Sequence, residues 1–259
     1  MSLIAELPSS DGRWRELRDL LVAQHGRVRR TPLPLGNRED PDEELLFILL
    51  TLMTRSQDAI ESTLAAILDR AGMPPWEGIA RLQRRTLVRL LQPVGLVNRR
   101  ADQLRSLART IIEEHGGTLT TLVSLGDPKL LDALESLPGV GRKTARCVAA
   151  YAFGRDMLAV DVHVLRVAKR LGLTPMETRW ADVDRTLNEQ VPRRLRYGLH
   201  VLLVQHGREV CSCVAPACGT CTLAEACPSA GIASEVREDY VVELRRASAR
   251  TRAPAPPSP

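Results

Sequence analysis

Apolar side chains recur at three- and four-residue intervals along most of this chain, the spacing that lines one face of an α-helix. Segments 43–54 (EELLFILLTLMT), 57–72 (QDAIESTLAAILDRAG) and 99–115 (RRADQLRSLARTIIEEH) carry that spacing and are predicted to be helices. Further helices are predicted over 141–154, 162–173 and 193–207. Breaks rich in proline and glycine fall at MPPWEG, QPVG, GDP and LPGVG. In GDPKLLDALESL, Asp127 is placed to cap a helix whose first position is Pro128. No stretch alternates with the two-residue period of a strand, and no internal repeat is found. The fold class predicted is all-α.

Composition narrows this picture. Of 259 residues 44% are apolar but only 3% aromatic, so the core has to be built from Leu, Val, Ile and Ala. The length suits one large domain or two ordinary ones. No apolar run reaches the roughly 18 residues of a membrane span. The N-terminal MSLIAELPSSDGRW lacks the basic start and apolar stretch of a secretion signal. The expectation is a cytoplasmic, nucleoid-associated monomer with no membrane partner. The net charge of +5 fits a polyanionic partner and fits an ordinary basic protein equally well. Among 36 basic residues only Lys129, Lys143 and Lys169 are lysines. A GC-rich genome accounts for the arginines, but arginine cannot act as an amine nucleophile, so the retained lysines stand out. Beyond about residue 230 the chain turns Arg-, Ala- and Pro-rich, and a disordered basic tail is expected over 231–259.

Five of the six cysteines fall between Cys211 and Cys227. Without a secretion signal, clustered cysteines read as metal ligands rather than disulfides. Cys211, Cys218, Cys221 and Cys227 follow the spacing C-x6-C-x2-C-x5-C, which suits a [4Fe–4S] cluster held by one loop. A structural zinc site competes, although zinc sites present two close cysteine pairs and only one occurs here. Cys213 fits no ligand slot, and Cys147 is expected in a core helix.

The turn Leu137-Pro138-Gly139-Val140-Gly141 lies between two predicted helices. Two glycines allow positive φ and close approach of the backbone to a ligand. The helix that follows offers free N–H groups and the positive end of its dipole to a phosphate. Such a hairpin grips a DNA backbone without reading its sequence, while an ordinary helix–helix turn is the bland alternative.

LPGVGRKTA followed by AVDVHVLRV resembles the helix-hairpin-helix and catalytic-aspartate motifs of the endonuclease III family of DNA glycosylases. The resemblance runs from about Glu43 through GLVNRRA (95–101) and HGREVC (206–211) to Cys227, in the family's order. It implies a two-lobed helical fold with a helix-hairpin-helix and a [4Fe–4S] loop. The expected domains are a helical barrel over 45–157 and a cluster domain over 158–230, with residues 1–44 packing on the latter. The hairpin residues Leu137, Gly139, Val140, Gly141 and Arg142 are then expected at DNA. Lys143 is implied as the nucleophile that expels a damaged base, forms a Schiff base and permits β-elimination. Asp161, also placed to cap the next helix, is implied as the carboxylate that stabilises positive charge on the sugar. Lys143 and Asp161 are expected to face each other across a DNA-holding cleft. His163 is the usual companion of that aspartate, and Val162 stands where threonine is commoner.

A base inside a duplex has to be flipped out and its gap filled. The resemblance nominates Leu96 as a wedge against the opposite strand. In the second loop, where the family has Gln three residues before Asp, Arg55 occupies that place and Gln57 is displaced by two. The expected partner is double-stranded DNA carrying damaged bases, with oxidised pyrimidines favoured, or abasic sites. Two rival readings are a monofunctional mismatch or alkylation glycosylase, against which Lys143 argues, and a non-catalytic DNA-binding relative, to which Arg55 lends weight.

Overall fold

The computed structural model of the chain describes residues 10–30, 32–54 and 56–231. Arg55 and the segment expected as a basic tail beyond Gly231 lie outside the described residues. Eleven α-helices run through the described residues, and no strand occurs among them. They are α1 (Ser10–His25), α2 (Pro41–Thr51), α3 (Gln57–Ala71), α4 (Trp76–Arg81), α5 (Arg84–Leu90) and α6 (Val97–His115). After them come α7 (Asp127–Glu135), α8 (Arg142–Tyr151), α9 (Val162–Arg170), α10 (Trp180–Gln190) and α11 (Arg193–Glu209). The fold is all-α as predicted, and no helix among the described residues is long and apolar enough to cross a membrane.

By internal contacts the chain divides into two compact units. One is Arg29–Ala159, and the other joins the chain up to Val28 with the chain from Val160 onward. The first 44 residues were expected together with the cysteine loop, whereas those from Arg29 onward belong to the first unit. Local bonds give the reason. Arg30 donates to Asp156 Oδ1 at 2.6 Å and to Ala150 O at 3.4 Å, and Arg38 donates to Glu43 Oε1 at 3.0 Å.

In the unit Arg29–Ala159, α2 is the central helix. Asp40 caps it by accepting from the N–H groups of Asp42 and Glu43, and Pro41 takes its first turn. Its run Leu45–Leu50 is buried on every side, which is why a polar face is missing from its sequence. Against α2 pack α3 and α8, while α4 and α5 pack on α6. Asp127 is the first residue of α7 rather than its cap. Gly126 takes the cap position without a side-chain bond, and the Asp127 carboxylate sits 3.8 Å from Arg155.

In the second unit α1 and α9 both pack on α11. Trp14, Leu17 and Leu21 of α1 are fully buried. The cysteine loop is tied back to α1 where Thr222 N–H donates to Gln24 Oε1 and Thr222 Oγ1 to Leu20 O, both at 2.9 Å. Helices α1, α4, α5 and α10 were not predicted, and α4 begins inside the break MPPWEG. α10 buries only Val183 and Leu187 as apolar side chains, too few to show a period.

Candidate functional site

The turn between α7 and α8 is anchored from within. Leu137 and Val140, both expected at DNA, put their side chains into the core at 2% and 5% exposure, so only their backbone can face a ligand. Gly139 has φ +78°, and its carbonyl accepts from Gln103 Nε2 of α6 at 3.2 Å. A Cβ on Gly139 would run into the Gln103 side chain, so glycine is favoured there by its positive φ and by the room it leaves for Gln103. Gly141 is the N-cap of α8 with no side-chain cap bond, and both it and Arg142 are exposed. Arg142 pairs with Glu135 at 3.6 Å.

Lys143, the second residue of α8, is half-buried. Helix α8 packs on α2, and Lys143 acts electrostatically on Glu44 of α2. Glu44 is 0% exposed, and burial pushes its carboxyl up to about 8. The Arg38 backbone N–H and the charges of Lys143 and Arg38 pull the other way, and Glu43 adds to the rise. Sequence reasoning missed Glu44. Its signal was a charge opening an apolar run with no polar face.

Two loops display apolar side chains in strained backbone. Leu96, the N-cap of α6, has φ +51° and is 55% exposed. Met53, just past α2, has φ +61° and is 81% exposed, with Leu52 exposed beside it. Neither is glycine, so the surroundings must hold this conformation. Arg100 does so from α6. Its buried guanidinium donates to Leu50 O and Thr54 Oγ1, each at 3.1 Å, and to Leu52 O. Thr54 Oγ1 in turn donates to Val94 O at 3.1 Å, joining the two loops. Gln57 is exposed on the first turn of α3, where its Nε2 donates to Glu61 Oε1 at 2.8 Å. Met53 is the residue that the sequence did not nominate, because only its tertiary exposure separates it from a core methionine.

In the second unit Asp161 caps α9, its Oδ1 accepting from the N–H groups of His163 and Val164 at 2.9 Å each. Trp180 Nε1 braces the preceding residue by donating to Val160 O at 2.8 Å. His163 is half-buried with its Nδ1 3.1 Å from Arg166 Nη2. Burial lowers its pKa, with Asp161 opposing and Arg166 and Arg208 reinforcing. Arg166 also donates to Gly207 O at 2.6 Å and to Cys211 O at 2.9 Å. At Gly207 a Cβ would meet the His163 Cβ at 2.7 Å, so the glycine of HGREVC lets α11 press against α9.

Cys211, Cys218, Cys221 and Cys227 all line one pocket, and Cys213 does not line it. Arg170, almost fully buried, donates to Cys211 Sγ at 3.2 Å and to the carbonyls of Ser212 and Cys213 at 2.7 and 3.2 Å. Leu223 N–H points at Cys221 Sγ at 3.4 Å, and His206 Nε2 lies 3.6 Å from it. Burial raises the Cys221 and Cys227 thiols, and the neighbouring cysteines raise them further. Four anionic sulfurs would repel one another here unless a positively charged core lay among them. No three His, Cys, Asp or Glu side chains among the described residues converge on a point suited to a single metal ion. Four cysteine sulfurs around one pocket are a donor set suited to a metal centre.

Residues 54–193 match the family model described as HhH-GPD superfamily base excision DNA repair protein. Endonuclease III of Bacillus subtilis (strain 168) is 32% identical over 182 residues, 70% of this chain and 79% of that protein. Endonuclease III of Escherichia coli (strain K12) is 31% identical over 191 residues, 74% of this chain and 85% of that protein. Among solved structures, a trapped endonuclease III–DNA covalent intermediate overlays with a TM-score of 0.71 at 25% identity, covering 86% of this chain and 98% of the other. A non-covalent endonuclease III–DNA complex overlays with a TM-score of 0.73 at 24% identity, covering 88% and 100%, a likeness of fold.

Proposed function

Because this chain belongs to the HhH-GPD superfamily of base excision DNA repair proteins, and within it to the endonuclease III family, we propose that Lys143 and Asp161 carry the chemistry of its DNA glycosylase and AP lyase activity. The observation that carries the reading is the half-buried Lys143 on the uncapped first turn of α8, directly after the glycine turn. Helix N-terminal N–H groups there suit a phosphate. Lys143 Nζ attacks the sugar C1′ as the damaged base leaves with its bonding pair. Ring opening gives a Schiff base, loss of a C2′ proton follows, and the 3′ phosphate departs. Asp161, fixed by its two cap bonds, supplies negative charge to the cationic sugar.

The substrate is double-stranded DNA with a damaged base, oxidised pyrimidines being favoured. The exposed Leu96 and Met53 provide the apolar wedges that base extrusion needs. Cys211, Cys218, Cys221 and Cys227 hold a [4Fe–4S] cluster. Its role is to fold the loop, with Arg170 neutralising the thiolates. Iron and sulfide analysis of purified protein, with a visible charge-transfer band and no zinc, tests that assignment. The protein acts in the cytoplasm at the nucleoid.

Borohydride trapping on an abasic duplex tests the chemistry. Wild type forms a covalent complex, and Lys143→Gln forms none. A wild type that excises a base but does not trap would make the enzyme monofunctional. A wild type that does neither would leave only DNA binding.

A further inference from the structure

Helix α2 ends where Arg100 of α6 meets it. The last carbonyls of a helix lack partners within it, and a cation from outside is well suited to them. The buried Arg100 guanidinium reaches three acceptors there. Its Nη1 donates to Leu50 O at 3.1 Å, and its Nη2 donates to Leu52 O and, at 3.1 Å, to Thr54 Oγ1. Thr51 Oγ1 donates to Ile48 O at 2.7 Å, and Thr54 N–H to Thr51 O at 3.2 Å. The backbone leaves the helix at Leu52 and turns outward through Met53. All three acceptors of Arg100 are uncharged, so this buried cation shapes backbone rather than forming an ion pair.

The same residue holds the second loop. The Arg100 backbone N–H donates to Leu96 O at 2.9 Å, closing the first turn of α6. Thr54 Oγ1 donates to Val94 O at 3.1 Å on the other side of Gly95. A closed ring of bonds therefore runs from the Arg100 guanidinium through Thr54 and the segment Val94–Leu96 back to the Arg100 backbone. Inside this ring lie two non-glycine residues with left-handed backbone, Met53 at φ +61° and Leu96 at φ +51°. Such strain persists only where the surroundings over-determine it. A loop that merely had to turn would carry glycine or asparagine at these places. Each carries instead a large apolar side chain, turned to the outside, with exposed Leu52 beside Met53.

We propose that Arg100 is a positioning residue for base extrusion, fastening Met53 and Leu96 into one preformed wedge, a role that rests on both side chains being wedges. Two independent loops would each have to order on DNA and lose conformational entropy during insertion. Loops already fixed by Arg100 lose little, because their backbone is set before contact. The two side chains are then coupled. With one truncated, the other is held for a two-point insertion and contributes little alone. Arg100 acts through the loops and not on the reacting atoms. Lysine cannot take its place, since an ammonium presents one nitrogen where the guanidinium serves three acceptors through two.

The test is stopped-flow fluorescence of 2-aminopurine placed opposite a tetrahydrofuran abasic site in a duplex. This probe brightens when the wedge unstacks it and needs no chemistry from Lys143. Met53→Ala and Leu96→Ala should each slow unstacking roughly tenfold. The double variant should lie within about twofold of either single one, the mark of coupled side chains. Arg100→Lys should slow unstacking roughly 10- to 100-fold. In the Arg100→Lys background the coupling should vanish, so that the double alanine effect equals the product of the two single effects. An Arg100→Lys rate within about threefold of wild type overturns the proposal. A slowed rate with the coupling intact also overturns it, because the substitution would then have loosened the fold without parting the wedge. If neither alanine substitution slows unstacking, the wedge reading falls and takes this one with it. Alanine effects that already multiply in wild type sink this proposal alone. Should Arg100→Lys fail to fold, Thr54→Val decides, since it deletes the hydroxyl that joins Arg100 to Val94 O. The coupling should vanish there too, and a coupling that survives Thr54→Val refutes the ring.

Discussion

Gly139 is where a single methyl group should do most damage to the hairpin. In Gly139→Ala two penalties act together. An alanine held at φ +78° is destabilised by about 1–2 kcal/mol relative to glycine. The new Cβ also occupies the space of the Gln103 side chain, whose amide is bonded to Gly139 O at 3.2 Å. Gln103 can swing aside by giving up that bond, so this second penalty sits at about 1 kcal/mol, the low end of overpacking. The sum is roughly 2–3 kcal/mol, a large share of the 5–15 kcal/mol that ordinarily separates folded from unfolded states. The two penalties are separable. In a Gln103→Ala background the collision is gone and only the backbone penalty of about 1–2 kcal/mol should remain. Urea unfolding of wild type, both single variants and the double variant gives the coupling energy directly. In parallel, Gly139→Ala should bind undamaged duplex more weakly, because the turn backbone that meets phosphate has moved. If Gly139→Ala has the same effect in both backgrounds to within about 0.3 kcal/mol, the packing of Gln103 against the turn has been misjudged.

The other expectations concern loops, pH and cysteines. Arg100→Met removes three hydrogen bonds from a buried guanidinium and should cost about 3 kcal/mol by urea unfolding, together with loss of base excision. Met53→Ala and Leu96→Ala, both on exposed side chains, should change stability by less than about 0.5 kcal/mol while slowing excision in a duplex more than in a mismatched, already loosened site. Glu44 has its folded-state pKa raised from 4.5 to about 8, so the folded state holds a proton that the unfolded state has lost between those values. Its contribution is therefore fully present below about 4.5 and disappears as pH rises toward 8. Relative to wild type, Glu44→Gln should gain stability across that window, by an amount on the order of a few kcal/mol, seen as a rising difference in urea midpoint. Cys213→Ser should retain iron and visible absorption, whereas Cys218→Ser should lose both.

Local rules written in the sequence survived to within a residue or two where they depended on near neighbours. The cap at Asp161, the helix spans of α3 and α6 and the glycine turn before Lys143 each follow from residues within a few positions of one another. The misplacement of the α7 cap by one residue belongs to the same level, since a proline one position later shifts the frame. Helix α10 escaped notice because two buried apolar side chains cannot establish a period.

The sequence by itself determined the helical class, the four-cysteine spacing that ends on one cavity, and the lysine that follows the glycine turn. All of these are encoded in short-range order, where propensity, capping and ligand spacing act. Tertiary structure alone decided which side chains were inside. It buried Leu137 and Val140 beneath the turn and left their backbone to face a ligand. It raised Met53 to the surface through Arg100, a residue about fifty positions away from the carbonyls it holds. It sealed Glu44 into an apolar core beside α8, where burial makes the carboxyl a far stronger base. Burial and field are sums over distant residues that meet only after folding, so no window of sequence contains them.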